Sequence, residues 1–187
     1  LGRASEYRDD DTGDHTKRVG VMSARIARAM GLTDDEVELI ELAAPLHDIG
    51  KIGIRDAVLM KPGKLTESEY TVMRTHALIG SKILEGESPL LKMAEIIART
   101  HHERWDGTGY PARMSGENIP LPGRIVAVAD VFDALISSRT YKAAWPVERA
   151  IAEIKSLSGR HFDPQVVEAF LHVMYAESGV EEFAQAA

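Results

Sequence analysis

Apolar residues recur along this chain at spacings of three and four residues, which is the period of an α-helix. The stripes with this spacing cover residues 19–30, 37–44, 70–84, 90–101, 125–136, 150–157 and 166–175. Capping-box residues at Thr33 and Thr66 predict two helix starts, and Asp163-Pro164 predicts a third. No stretch shows the strict apolar–polar alternation of a half-buried strand. The pattern therefore predicts an all-α fold, a compact helical bundle.

Glycine and proline divide these stripes. Gly31 is expected to end the first helix, Pro45 to kink the second just before His47, and Gly86 to close a helix that starts at Thr66. Residues 103–123 hold a high density of glycine and proline and predict a long loop. Loops of this length inside a small domain are usually functional.

Composition narrows the class of protein. The chain has 187 residues, of which 44% are hydrophobic and 27% charged, as in one soluble globular domain. Its net charge of −7 argues against a nucleic-acid surface, and no apolar run is long enough to span a membrane. The absence of cysteine excludes disulfides and thiolate metal ligands and is compatible with a cytoplasmic protein.

Histidines are the strongest chemical signal. Of the seven in the chain, five lie near the predicted ends of apolar helices, where an unpaired polar side chain is costly to bury. They are His15, His47, His76, His101 and His102. Asp48 follows His47, and Asp130 interrupts an otherwise apolar helix that also carries Asp133. Imidazole and carboxylate together suit iron, manganese or zinc, so the pattern indicates a metal cluster in a helical bundle. Each histidine alone also fits an ordinary hydrogen-bonded role.

Several cations and aromatic residues allow two interpretations. Lys51 would share a helical face with His47 and Asp48 and could stabilise a phosphate, or it could be a surface lysine at a helix end. Arg139 and Lys142 could hold a second phosphate or form a solvated helix end. Trp105 and Tyr110 could stack on a base or anchor the loop; spacing does not separate the two.

Several motifs together resemble one family. His47-Asp48-Ile49-Gly50-Lys51 resembles the HD-x-x-K signature of HD-domain metal phosphohydrolases, and the segment 101–111, which ends in Gly109-Tyr110-Pro111, resembles that of the HD-GYP subfamily. Segments 61–66, 73–76, 129–135, 139–142 and 162–164 are similar to it as well. The resemblance covers roughly residues 11–172.

The resemblance implies a phosphodiesterase that opens cyclic di-GMP to linear pGpG by attack of a metal-bridging hydroxide; cleavage on to GMP stays open. It implies two divalent ions, iron or manganese, with Asp48 bridging. The implied ligands are His15, His47, Asp48, His76, His101, His102 and Asp130. Lys51 would act catalytically with Asp48. Substrate binding is implied for Arg139, Lys142, Gly109, Tyr110 and Pro111, and diguanylate cyclase (GGDEF) proteins are implied as partners.

The N-terminal segment departs from the family pattern. Members with three metals carry Glu four residues before the first ligand histidine, whereas this chain has Asp11 there, so a third metal is an open question. We expect residues 1–10 to end a linker from an upstream receiver or sensor domain, 11–178 to form the catalytic domain, and 179–187 a tail. The rival hypothesis is a non-catalytic module that binds a cyclic dinucleotide or a GGDEF protein.

Overall fold

The fold is helical throughout the part of the chain that the computed structural model describes, residues 15–138 and 143–177. The α-helices there are α1 His15–Ala29, α2 Asp34–Ala43, α3 Asp56–Leu59, α4 Glu67–Arg74, α5 His76–Leu84, α6 Pro89–Thr100, α7 Leu121–Ile136, α8 Val147–Ser156 and α9 Pro164–Glu177. Three 3₁₀ segments, Ala44–Leu46, Ile49–Gly53 and Gly116–Asn118, join them. Within these residues the only β-type pairing is an isolated bridge between Ser158 and Phe162. The predicted all-α fold is confirmed.

Local sequence signals explain most of the helix ends. Thr33 and Thr66 form complete capping boxes with Glu36 and Glu69, each hydroxyl accepting from a backbone N–H three residues on. Gly31 follows α1 with φ +80°, a conformation that favours glycine. None of the described helices is long and apolar enough to cross a membrane.

One helix prediction is wrong. The stripe from Thr66 to Gly86 is not a single helix, because α4 ends at Arg74 and α5 begins at His76. The Thr75 hydroxyl between them donates to the Val72 carbonyl at 2.7 Å, a side-chain bond that competes with the helical ladder. The break matters because it makes His76 the first residue of a new helix.

The core joins α1, α2, α6 and α7. Helix α1 packs against α2, α7 and α9, while α6 packs against α2, α5 and α7. Fully buried side chains include Ile26 of α1, Ile40 of α2, Ile97 of α6 and Ile125 of α7. The 3₁₀ segment Ile49–Gly53 lies against α5. This arrangement brings the start of α1, the segment after α2, the start of α5 and the end of α6 beside the middle of α7.

Candidate metal centre

Seven side chains converge where these elements meet, and we call them the cluster. They are His15, His47, Asp48, His76, His101, His102 and Asp130. Asp130 lies inside α7; the others lie at or next to helix ends, in part because proline at position 45 replaces the end of α2 by a 3₁₀ turn that leads to His47. The structure thus brings together every residue of the predicted ligand set.

The cluster divides into two groups. In each, one nitrogen or carboxylate oxygen per residue lies within 4.8 Å of the others. The first group is Asp48, His76, His101 and His102; the second is His15, His47 and Asp130. Four and three ligand atoms at this spacing are numbers that suit divalent first-row metals.

Asp48 belongs to the first group and also faces the second. Its Oδ1 is 3.2 Å from His76 Nε2 and 3.6 Å from His101 Nε2, both in the first group. Its Oδ2 is 3.3 Å from His47 Nε2, in the second. The two oxygens of one carboxylate therefore face different groups, as a carboxylate that bridges two ions would.

Backbone carbonyls fix three of the imidazoles. Nδ1 of His47 lies 2.9 Å from the Ala44 carbonyl, and Nδ1 of His76 lies 2.8 Å from that of Met73. Nδ1 of His101 lies 3.1 Å from the carbonyl of Ile97. A carbonyl only accepts, so each Nδ1 donates and each Nε2 is left with its lone pair directed into the cluster.

The cluster also contains buried polar atoms that have no hydrogen bond among the described residues. They are His47 Nε2, Asp48 Oδ1, His76 Nε2 and His101 Nε2. Such atoms carry a free-energy cost when left unmatched, and four in one place are not expected by chance. Divalent cations would satisfy all four, so the residues present fit a metal centre.

Electrostatics favour the ligand forms of Asp48 and His102. Burial alone would raise the pKa of Asp48, but the Lys51 ammonium and the His47 imidazole hold that pKa well below its usual range. Burial, together with the neighbouring His101 and His76, lowers the pKa of His102 well below 6.5. A charged carboxylate and a neutral imidazole are the forms that bind metal.

Lys51 is the cation beside this site. Its Nζ lies 2.8 Å from Asp48 Oδ2, three residues along the 3₁₀ segment. Lys51 is one-fifth exposed, as is Asp48. The cluster therefore opens to solvent on the side where these two residues and Asp130 lie.

The Gly/Pro-rich loop, residues 103–123, is anchored against the cluster. Tyr110 stacks on His102 with ring centroids 4.7 Å apart. The buried Glu103 carboxylate accepts from the backbone N–H groups of Ala112 and Met114 at 2.7 and 3.0 Å. A Cβ on Gly109 would lie 2.4 Å from the Arg104 nitrogen, so the chain can approach this closely only with glycine.

The two loop aromatics have different surroundings. Trp105 donates its backbone N–H to the His161 carbonyl at 3.0 Å, and its ring lies 5.9 Å from the Arg124 guanidinium carbon, so it anchors the loop to the segment before α9. Tyr110 instead faces the cluster, with Pro111 next to it. Asp11, Arg139 and Lys142 lie outside the described residues.

Two residues of the site region were not assigned from the sequence. Asp133 was noted only as a second acid in an apolar helix, yet its Oδ2 lies 2.6 Å from His15 Nδ1. Glu103 lies in the segment 101–111, and the sequence assigns it no role. A charged residue in an apolar helix is a signal for Asp133, whereas no local pattern reveals Glu103, whose partners lie nine and eleven residues away.

Comparison with known proteins identifies the family. The profile of the HD domain family matches residues 6–166. The chain therefore belongs to the HD domain family, whose members bind divalent metal ions, in agreement with the geometry of the cluster.

Named relatives and a solved structure narrow the class. The chain is 55% identical to a cyclic di-GMP phosphodiesterase of Thermotoga maritima over 91% of its length and 47% of the relative's. It is 51% identical to the cyclic di-GMP phosphodiesterase response regulator RpfG of Xanthomonas campestris, over 91% and 46%. It thus spans about half the length of these relatives. A cyclic GMP-AMP specific phosphodiesterase of Vibrio cholerae has the same fold, with a TM-score of 0.65 at 22% identity over 86% of this chain and 43% of that one.

Proposed function

We propose that this chain is a metal-dependent phosphodiesterase that hydrolyses cyclic di-GMP to linear pGpG. The observation that carries the proposal is Asp48, whose two oxygens face two adjacent groups of ligand atoms. The names of the relatives at 55% and 51% identity supply the substrate class. When bound, two adjacent ions supply water activation and stabilise the attacking and leaving oxygens of an in-line displacement.

The residues of the chain divide this task. His47 presents its Nε2 lone pair to the second group, and His76 and His101 present theirs to the first, because carbonyls hold their Nδ1 protons. Asp48 faces both groups and contributes negative charge, part of which Lys51 balances. Lys51 can donate to a phosphate oxygen that enters from the exposed side, where it would stabilise charge developing on the leaving group.

Substrate binding by the remaining residues is also part of the proposal. Arg139 and Lys142 would bind the phosphate away from the scissile bond, and Gly109, Tyr110 and Pro111 would shape the wall beside His102. The stacking of Tyr110 on His102 supports this wall. Asp11 would offer at most a weaker third metal position, since aspartate is one methylene shorter than glutamate; this favours pGpG over GMP as the end product.

The proposal also covers the identity of the metal ions, the upstream domain, the protein partners and the location. Imidazole and carboxylate donors without thiolate suit iron or manganese, which we propose as the ions. An upstream receiver or sensor domain also belongs to the proposal, and the words "response regulator" in the name of RpfG support it. GGDEF proteins as partners rest on the family resemblance, and a cytoplasmic location rests on the absence of cysteine.

The test couples metal analysis to product analysis. The chain is purified anaerobically, its iron and manganese content is measured, and cyclic di-GMP, 3′3′-cGAMP and pGpG are supplied as separate substrates. We expect close to two ions per chain and pGpG as the main product of cyclic di-GMP. Tight cyclic di-GMP binding without turnover, at full metal content, would instead support the binding-module hypothesis, and faster turnover of 3′3′-cGAMP would change the assigned substrate.

A further inference from the structure

His15 is held differently from the other histidines whose Nδ1 partner the structure gives. His47, His76 and His101 each place Nδ1 against a backbone carbonyl. His15 Nδ1 lies 2.6 Å from a carboxylate oxygen, Oδ2 of Asp133. This partner comes from another helix, 118 residues along the chain.

Asp133 is built to stay ionised. Its side chain is 5% exposed, and Arg18 donates to both its oxygens, with Nε 2.5 Å from Oδ1 and Nη2 3.0 Å from Oδ2. The Ser137 hydroxyl lies 3.2 Å from Oδ2.

The charge of Asp133 has a direct effect on His15. An ionised carboxylate only accepts hydrogen bonds, so Nδ1 of His15 carries the proton and donates it. Nε2 of His15 then presents its lone pair toward Asp130, whose Oδ1 is 3.4 Å away. A carboxylate behind a ligating imidazole fixes its tautomer, orients the ring and increases its basicity, and loss of such a partner typically costs about 10- to 100-fold in metal affinity.

We propose that Asp133 is the positioning residue of the second metal position, the one formed by His15, His47 and Asp130. Arg18 holds the Asp133 carboxylate from the same helix that carries His15, three residues further on. In the first group, His76 and His101 rely on neutral carbonyls of their own chain segment. Among the histidines whose Nδ1 partner the structure gives, only His15, in the second group, depends on a charged residue from another helix.

The first measurement needs no substitution. The inference rests on the proposed metal centre, so the chain is loaded with Zn²⁺, which is diamagnetic, and the ring nitrogens of ¹⁵N-labelled histidine are observed by NMR. We expect a proton on Nδ1 of His15, shifted downfield by its carboxylate partner, and Zn²⁺ on Nε2. Zn²⁺ on Nδ1, with the proton on Nε2, would overturn the proposal.

The second measurement compares two variants that each neutralise a buried aspartate paired with arginine. Asp133→Asn changes the residue behind His15, whereas Asp163→Asn changes an aspartate that accepts from Arg124 and from the backbone N–H of Gln165. Stepwise Zn²⁺ and Mn²⁺ affinities are measured by chelator competition, with thermal unfolding of the metal-free chains as a check on folding.

The possible results distinguish a failure of the role proposed for Asp133 from a failure of the proposed metal centre. We expect Asp133→Asn to weaken one of two ions by about 10- to 100-fold and the other by less than about threefold, while Asp163→Asn leaves both unchanged. Equal weakening of both ions in the two variants, or wild-type affinities in Asp133→Asn, would overturn the role of Asp133. A wild-type chain that takes up neither metal would overturn the metal centre as well.

Discussion

Asp48 has the most demanding position of any residue in the cluster, because each of its oxygens serves a different set of histidines. Replacing it with Asn keeps the shape but removes the charge and one acceptor oxygen. We expect Asp48→Asn to lower turnover of cyclic di-GMP by at least ~10³-fold, since two-metal stabilisation is worth several kcal/mol. Helical content should be retained. Asp34→Asn, at the exposed start of α2, is the control, and near-normal turnover in Asp48→Asn with metal bound would contradict the assignment.

Arg139 allows a test of substrate binding by kinetics alone. If it holds the phosphate that does not react, its contribution is nearly equal in ground and transition states, so Arg139→Ala raises KM by about tenfold and leaves kcat within about threefold. The matched control is Arg28→Ala, which removes a surface cation from the last turn of α1. A fall in kcat at unchanged KM would indicate a direct role in the chemistry instead.

Individual residues also show which parts of the site can be predicted from the sequence. The seven cluster residues could be selected beforehand because each sits in a short local motif or interrupts an apolar stripe. The pairing of Asp133 with His15 could not be, because it depends on the packing of α7 against α1 and joins residues 118 positions apart. Local patterns identify candidate ligands but do not reveal which groups orient them.

At the scale of elements, the crossing of the Ile49–Gly53 segment over α5 determines where Asp48 and Lys51 lie. A Cβ on Gly50 would lie 1.9 Å from the His76 carbonyl oxygen and 2.4 Å from the Gly80 nitrogen, and backbone atoms cannot move aside cheaply. A Cβ on Gly80, from the other side of the contact, meets its nearest atom at 3.2 Å. Alanine substitutions at Gly50 and Gly80 therefore test this crossing with a severe and a mild steric clash.

We expect Gly50→Ala to destabilise the fold by about 3 kcal/mol or more and Gly80→Ala by about 1 kcal/mol, since overpacking against backbone costs most. The measurement is urea unfolding of the metal-free chains. Gly50→Ala should also weaken metal binding, because it displaces Asp48 and His76 together. Equal stability of the two variants would show that the segment can shift without strain.

Helix existence could be predicted well because the apolar stripes are long, but the break between α4 and α5 could not. Apolar spacing continues from Tyr70 through Leu84, and Thr75 is unremarkable in such a stripe. The break follows from a hydroxyl-to-carbonyl bond and from the need of His76 to reach Asp48. The helix propensity around Thr75 is nearly neutral, so tertiary contacts determine that the helix breaks there.

For the whole molecule, His161, which is not one of the cluster residues, gives the stability a pH dependence. Burial, and secondarily the charge of Arg104, lowers the pKa of His161 to about 4. The folded state therefore prefers the neutral ring, so this contribution is fully present above pH 6.5 and is lost as pH falls from 6.5 to 4.

His161→Phe keeps an aromatic ring on Phe162, against which His161 stacks, but it cannot titrate. In excess chelator, we expect the free energy of unfolding of His161→Phe to fall by about 2 kcal/mol less than wild type between pH 7 and pH 4. If the free energy of unfolding changes equally with pH in the two chains, protonation of His161 does not affect stability.

Metal binding should also stabilise the whole molecule, because the ligands come from separate places along the chain. His15, Asp48, His76, His101 and Asp130 belong to α1, the segment after α2, α5, the end of α6 and α7. The unfolded chain cannot hold the ligand atoms of either group within 4.8 Å of one another, so ions bind the folded state and stabilise it by mass action. At a free Mn²⁺ concentration 100 times Kd, one site contributes about 2.7 kcal/mol. For a chain of this length that raises Tm by about 5–10 °C over the value in excess chelator. The Asp48→Asn variant should lose most of this shift, because it removes the carboxylate that faces both groups of ligand atoms. If Tm in chelator equals Tm with Mn²⁺, Zn²⁺ and Fe²⁺ in turn, the cluster does not bind metal in the folded chain.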